Sequence, residues 1–274
     1  MATVYTVGNF KGGVGKTKLV TMLGFDNAVV KKRKTLVLDI DPQANASQIL
    51  ARTADISEIK KTITNGFQEN DLSGCITPII ENLDLIACDT GFRAFTKHVL
   101  SIENENQQIN VLNKLLEPIK DSYDDIFIDV PPTISEFSDN AMAASDFSII
   151  AFQTDEESFD GVTKYVNYQN FMVDRYGINL QIIDIIPCMV EPTDSIDQDL
   201  LKQAKELYKN TVSDNVVNYQ KRLRRYSGEG IFLLKNKNGN YDQWDFLAHN
   251  IFINILNELE GRKNYYLSLT EESE

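Results

Sequence analysis

An α/β fold, a mostly parallel twisted sheet flanked by helices, is what this 274-residue sequence predicts, and three features carry the prediction. Short apolar runs recur along the chain, helical stretches separate most of them, and the first run leads through a glycine-rich turn into a helix. The runs are "TVYTVG" (3–8), "TLVLDI" (35–40), "LDLIA" (83–87), "DIFIDV" (125–130), "FSIIAF" (147–152) and "LQIIDIIP" (180–187). They are continuously apolar, as strands buried on both faces are. Helices are expected over 16–30, 107–121, 137–145, 158–175 and 196–210. Such alternation of strand and helix gives parallel pairing.

A further amphipathic stretch, "WDFLAHNIFINILNELE", begins at Trp244. It spaces Phe246, Leu247, Ile251, Ile255, Leu256 and Leu259 so that most share one face, which predicts a helix packed on the sheet. The acidic end "LTEESE" is expected to fray, with 265–274 as a flexible tail. No repeat or linker divides the chain, so one domain over 1–274 is expected.

Composition excludes several classes of function. Apolar content of 42% and charged content of 24% place the chain among globular proteins. No apolar run reaches the roughly 18 residues that cross a bilayer, and the N-terminus lacks the layout of a signal peptide, so a cytoplasmic protein without membrane contact is expected. Cys75, Cys88 and Cys188 are scattered and form no C-x-x-C, which argues against a disulfide framework or a metal cluster. His98 and His249 lie far apart without metal spacing, and no serine or cysteine nucleophile with its base is visible. The net charge of -13 excludes a surface that coats itself on nucleic acid, so any such contact must be local. Two basic clusters qualify, "KKRK" (31–34) and "KRLRR" (221–225).

The turn after the first run, "NFKGGVGKTK" (9–18), has the chemistry of a phosphate-binding loop. Gly12, Gly13 and Gly15 with Val14 let backbone N–H groups curl around an anion, and the helix beginning near Lys16 adds its positive end. Lys16 is placed to reach β- and γ-phosphates, and the Thr17 hydroxyl to complete a magnesium site. The pattern departs from G-x-x-x-x-G-K-[ST]: Phe10 stands where the first glycine belongs, and a second lysine, Lys11, precedes the glycines.

Carboxylates follow in two places. In "TLVLDIDPQANAS", Asp39 and Asp41 share a face at the carboxyl end of a strand, where α/β proteins place ligand chemistry. Seen alone, Asp41-Pro42 is also a turn signal. In "YDDIFIDVPPTIS", an apolar strand delivers Asp129 and is ended by Pro131 and Pro132.

These segments together resemble the ParA/MinD family of ATPases. K-G-G-V-G-K-T matches its deviant Walker A motif, and "DIDPQANAS" resembles D-x-D-P-Q-G-N-A-[ST] with Ala44 in the glycine place. The stretch ending at Asp129 resembles φ-φ-φ-D-x-P-P. Downstream, Asn140, Ala141, Asp146, Gln153 and Gly161 match the family run, while Phe152 and Asp155 depart from it. The resemblance covers residues 3 to about 162 well and thins beyond.

It implies a P-loop NTPase fold, ATP with Mg2+, and weak, partner-stimulated ATP hydrolysis. Lys11 would be the signature lysine, crossing to the nucleotide of a second subunit in a homodimer that sandwiches two ATP molecules. Asp41 would orient or deprotonate the attacking water, and Thr17, Asp39 and Asp129 would serve the metal. Family members build the base pocket partly from a later region, to which Met189, Asn218 and Tyr219 correspond by position. Partition ATPases of the family bind DNA without sequence preference through C-terminal basic residues. Lys221, Arg222, Arg224 and Arg225 are therefore the DNA candidates, within a 215–260 part that also packs on the sheet. The solvated-face alternative for that charge run stays open.

The implied function is plasmid or chromosome partition on the nucleoid: the ATP dimer binds nonspecific DNA, and a small centromere-binding ParB-type partner releases it by stimulating hydrolysis. Three alternatives compete with this. A MinD-like membrane-cycling ATPase ends in a basic amphipathic anchor, whereas "YYLSLTEESE" is acidic. Metal-cluster reductases of the superfamily need paired cysteines. A DNA-binding regulator would carry a helix-turn-helix, for which no segment precedes the loop.

Overall fold

The computed structural model describes residues 2–271 apart from 234, 236 and 237. The chain runs β1 (Thr3–Gly8), α1 (Lys16–Val29), β2 (Thr35–Asp39), α2 (Asn45–Thr53), α3 (Ile63–Glu69), β3 (Ile76–Ile80) and β4 (Leu83–Ile86). It continues through α4 (Ala94–Val99), α5 (Glu105–Ile109), α6 (Val111–Lys120), β5 (Asp125–Asp129), α7 (Glu136–Ala144), β6 (Phe147–Gln153) and α8 (Glu156–Tyr176). The last elements are β7 (Gln181–Val190), α9 (Ser195–Tyr208), β8 (Val217–Asn218), α10 (Lys221–Glu229) and α11 (Gln243–Glu271).

The strands form one sheet in the order β3-β4-β2-β5-β1-β6-β7-β8. Every pairing is parallel except β3 against β4 at the edge, where Pro78 is tolerated. The six expected strands are present, and each is buried along most of its length, as continuous apolar runs require. β3 and β8 are additional short edge strands: Pro78 interrupts the apolar run of β3, and β8 is only two residues long.

Helices cover both faces. α1, α2, α10 and α11 enclose one core built around Leu23, Val37, Phe127 and Phe252. α3 to α7 enclose another around Leu38, Phe92, Phe95 and Ile128. α8 and α9 close a third around Phe152, Tyr165 and Met172. The expected helix over 107–121 is broken into α5 and α6 at Asn110. α2, α3, α4 and α10, each of nine residues or fewer, were not expected.

α11 differs from expectation in its inward face. Ala248, Phe252, Ile255, Leu256 and Leu259 are buried, whereas Phe246 and Leu247 are exposed. The helix is rotated so that two polar residues, Asp245 and His249, also point inward. His249 Nδ1 lies 2.6 Å from Asp26 Oδ1, and Tyr226 Oη donates to Asp245 Oδ1 at 2.6 Å. These bonds offset the cost of burying the polar groups and fix α11 against α1 and α10.

The expected tail beyond 265 is instead, as far as Glu271, the last turns of α11. Tyr266 anchors it, donating to Ile182 O and packing its ring on Phe147. Residues 272–274 lie outside the described part.

Candidate functional site

Three adjacent strands end at one place. Register puts Val7 beside Asp129 and Asp129 beside Asp39, so the loop leaving β1 faces the carboxylates that end β5 and β2. Sequence alternation predicted which side these residues take; the strand order brings them together.

Backbone conformation shapes the loop. Gly13 and Gly15 have φ of +82° and +102°, in the left-handed region that favours glycine. A Cβ at Gly13 would meet nothing within 4 Å, so that turn borders open space. Asn9, which no sequence motif marks, organises its start: its side chain donates to Ala151 O and accepts from Lys11 N. Gly161 on α8 permits this packing, since a Cβ there would lie 2.4 Å from Asn9 Oδ1.

Lys16 is buried, its ammonium curled back to donate to Asn9 O and Lys11 O. Burial lowers its pKa, with the charges of Asp129 and Asp41 opposing that shift. A cation so placed gains from any anion that displaces the two carbonyls. Thr17 Oγ1 donates to Asp129 Oδ2 at 2.8 Å.

The three carboxylates divide their tasks. Asp39 accepts from Ser47 N and Oγ at one oxygen and from Asp41 N at the other, so it holds α2 and the turn in place. Burial pushes its pKa up to about 6. Asp129 is raised well above the usual carboxylate range, by burial first and by the charge of Asp39 second. Its Oδ1 is buried and has no hydrogen-bond partner. Asp41 accepts from Gln43 N and faces the loop cavity.

That cavity, about 450 Å³, is lined by Gly12, Gly13, Lys16, Thr17, Asp41 and Arg52 among others. An orphaned carboxylate oxygen beside a threonine hydroxyl fits a magnesium ion, which keeps several waters and takes few protein ligands. Among the described residues, no group of three or more His, Cys, Asp or Glu side chains is arranged to hold a metal alone. Asp39, beside Asp129 in register, has both oxygens engaged by Ser47 and by Asp41 N.

Lys11 lies at the rim, outside the cavity. Its ammonium is 2.5 Å from Asp155 Oδ1 and 3.1 Å from Glu157 Oε2, both at the start of α8. The hydrogen bond to Asp155 is the main cause of its raised pKa.

A second cavity of about 360 Å³ brings together Met189, Asn218 and Tyr219 with Gly15, Leu223 and Arg224. Met189 has φ 58°, and the register between β7 and β8 slips between Cys188 and Val190. The bulge turns Met189 toward this space.

The "KRLRR" cluster is split by α10. Leu223 and Tyr226 face inward, and Arg222 goes with them, bridging Asp242 at 2.6 Å and Asp245 at 3.1 Å. Arg225 pairs with Glu229 and lies over the Phe232 ring. Lys221 and Arg224 are exposed and, among the described residues, make no salt bridge. "KKRK" lies at the opposite end of the sheet from the loop: Lys31 pairs with Glu260 and Arg33 with Asp125. Among the described residues, no helix is long and apolar enough to cross a membrane.

A parallel sheet with a glycine-rich loop and two strand-end carboxylates defines a P-loop nucleotide-binding protein. The AAA domain family matches residues 2–182. The chain is 28% identical to the sporulation initiation inhibitor protein Soj of Bacillus subtilis strain 168 over 233 residues, 84% of this chain and 89% of Soj. It is 27% identical to the virulence plasmid ParA family protein pGP5-D of Chlamydia psittaci over 209 residues, 74% of this chain and 76% of that one. In fold it is similar to a putative plasmid partition protein of Borrelia burgdorferi bound to AMPPNP. That likeness has a TM-score of 0.74 and 22% identity, over 94% of this chain and 99% of the other. The chain belongs to the ParA/MinD family of P-loop ATPases and resembles its plasmid partition members.

Proposed function

We propose that this chain is a DNA-partition ATPase that dimerises on ATP, binds nonspecific DNA as a dimer, and is released when a small ParB-type centromere-binding protein stimulates hydrolysis. The observation that carries the proposal is the meeting of Lys16, Thr17 and Asp41 around one cavity, with Asp129 bonded to Thr17 beneath it and Lys11 at its rim. Soj and the Chlamydia plasmid protein support the partition role by likeness, and the AMPPNP-bound Borrelia structure supports ATP as the ligand.

In this reading the loop amides and Lys16 hold the β- and γ-phosphates. Thr17 and Asp129 hold Mg2+, with Asp39 fixing the surrounding turn. When bound, the ion neutralises charge on the β- and γ-oxygens. Asp41 orients a water for attack on the γ-phosphorus and takes its proton; the bond to the β–γ bridging oxygen breaks, giving ADP and phosphate. Lys11 from the second subunit neutralises the charge that develops on the leaving oxygens. In the single chain, Asp155 and Glu157 keep Lys11 occupied, so a lone subunit lacks one catalytic cation and turns over slowly. Met189, Asn218 and Tyr219 border the base.

Lys221 and Arg224 supply the DNA contact, since Arg222 and Arg225 are engaged within the fold. Two exposed cations per chain form a weak patch, which a dimer doubles. DNA retention should therefore require ATP. The test measures ATPase activity and duplex retention together. Lys16→Ala is expected to lose both. Asp41→Ala is expected to keep ATP-dependent retention without hydrolysis. Retention by the wild type that is equal with ATP and without nucleotide would contradict the cycle.

A further inference from the structure

The loop cavity and the Met189 cavity share a wall made of Gly15, Lys18 and Ser227. Lys18 stands on the first turn of α1, and its ammonium donates to Ser227 Oγ at 2.7 Å. Among the described residues it has no carboxylate partner. The other charged groups lining the two cavities are Lys16, Asp41, Arg52 and Arg224, and the Arg52 guanidinium is held on Ser227 O at 2.8 Å.

A nucleotide whose terminal phosphates lie over Lys16 and whose base lies beside Met189 and Asn218 must cross that shared wall. The parts of a nucleotide between those ends are the α-phosphate and the ribose. We propose that Lys18 and Ser227 form a cationic subsite for the α-phosphate, reading the part of the anion that ATP and ADP share. This rests on the ATP-site reading above.

Energetics support the assignment. A half-buried ammonium whose partner is a neutral hydroxyl is poorly compensated. A phosphate oxygen supplies the missing counter-charge, while Ser227 fixes the ammonium's direction. Because the α-phosphate survives hydrolysis, the contact holds ADP as firmly as ATP. Hydrolysis then removes what joins two subunits without emptying either site, and the switch resets by exchange of retained ADP.

The test measures Kd for ADP and for AMPPNP, with Mg2+, on the full chain, together with the melting temperature without nucleotide. Lys18→Met should weaken both nucleotides by the same factor, about tenfold or more, as loss of a charge-assisted hydrogen bond requires. Lys18→Arg should recover most of it. The ligand-free Lys18→Met protein should melt no lower than the wild type, since a poorly compensated cation has been removed; a merely structural lysine would lower it. Unchanged ADP affinity in Lys18→Met, or a loss confined to AMPPNP, would overturn the subsite. A wild type that binds neither nucleotide would instead overturn the ATP site itself.

Discussion

The ammonium of Lys11 lies 2.5 Å from the carboxylate of Asp155, which also accepts from Ser158 N to cap α8. The lysine proposed to serve a second subunit is thus held within its own. Dimerisation has to exchange this pair for phosphate oxygens across the interface, so the pair competes with assembly. Asp155→Asn keeps the helix cap, because Asn caps as well as Asp, and removes the charge. AMPPNP-dependent dimerisation should tighten by about two- to fivefold, the range for an exposed ion pair. Sedimentation equilibrium checks this, and weaker dimerisation would count against the competition.

Ala44 sits in the left-handed region at φ 55°, ψ 36°, where it begins α2 behind Asp41. A side chain there costs about 1 kcal/mol relative to glycine, part of which glycine returns through its greater freedom when unfolded. Ala44→Gly should raise unfolding stability by about 0.5–1 kcal/mol. Urea denaturation measures it, and a loss of stability would show that the turn is not strained.

Gly161 makes room for the loop at Asn9. A methyl group there should cost about 1–3 kcal/mol through overpacking and weaken nucleotide binding as Asn9 moves. Gly261→Ala is the control, since a Cβ at that helical position meets nothing within 4 Å. It should leave binding unchanged and be neutral or slightly stabilising. Calorimetric titration of both variants separates the two; equal nucleotide affinities would show that the contact at Asn9 is unimportant.

The buried pair of Asp26 and His249 should make stability depend on pH. Burial pushes Asp26 up to about 6, and the pKa of His249 is raised because the Asp26 contact outweighs burial. Tyr226 and Asp245 face the same network, with Arg222 beyond them. Both folded pKa values lie above the unfolded ones, so the folded state binds more protons. The pair's contribution is greatest on the acid side; the Asp26 part is lost as pH rises through about 6, and the His249 part as pH rises through its raised pKa. The stability difference between wild type and Asp26→Asn/His249→Gln should narrow as pH rises through about 6 and on through the raised pKa of His249. Urea midpoints across that range test this; a difference that stays constant or widens would contradict it.

Much of the site was legible because its determinants are local. Asp129 ends β5, Asp41 lies just beyond β2, and Gly13, Lys16 and Thr17 belong to the loop and helix that leave β1, so the strand ends fix where these side chains go. What was not legible depends on distant contacts. Lys11 meets Asp155 across 144 positions, and Lys18 meets Ser227 across 209. Nothing near either lysine marks the partner. "KRLRR" looked uniform because a charge run does not reveal its helical phase: Arg222 shares the inward face with Tyr226, four residues on, while Lys221 and Arg224 stay outside. On α11, counting apolar residues placed Phe246 and Leu247 inside, whereas the buried pairings of Asp245 and His249 set the rotation.

The dependence of assembly on Lys11 is tested most directly by light scattering of the wild type and Lys11→Ala with saturating AMPPNP and Mg2+. The wild type should double in mass. Lys11→Ala should bind the nucleotide and remain a single chain. A wild type that stays single at high protein concentration, or a Lys11→Ala variant that pairs as readily as the wild type, would contradict a lysine shared between subunits.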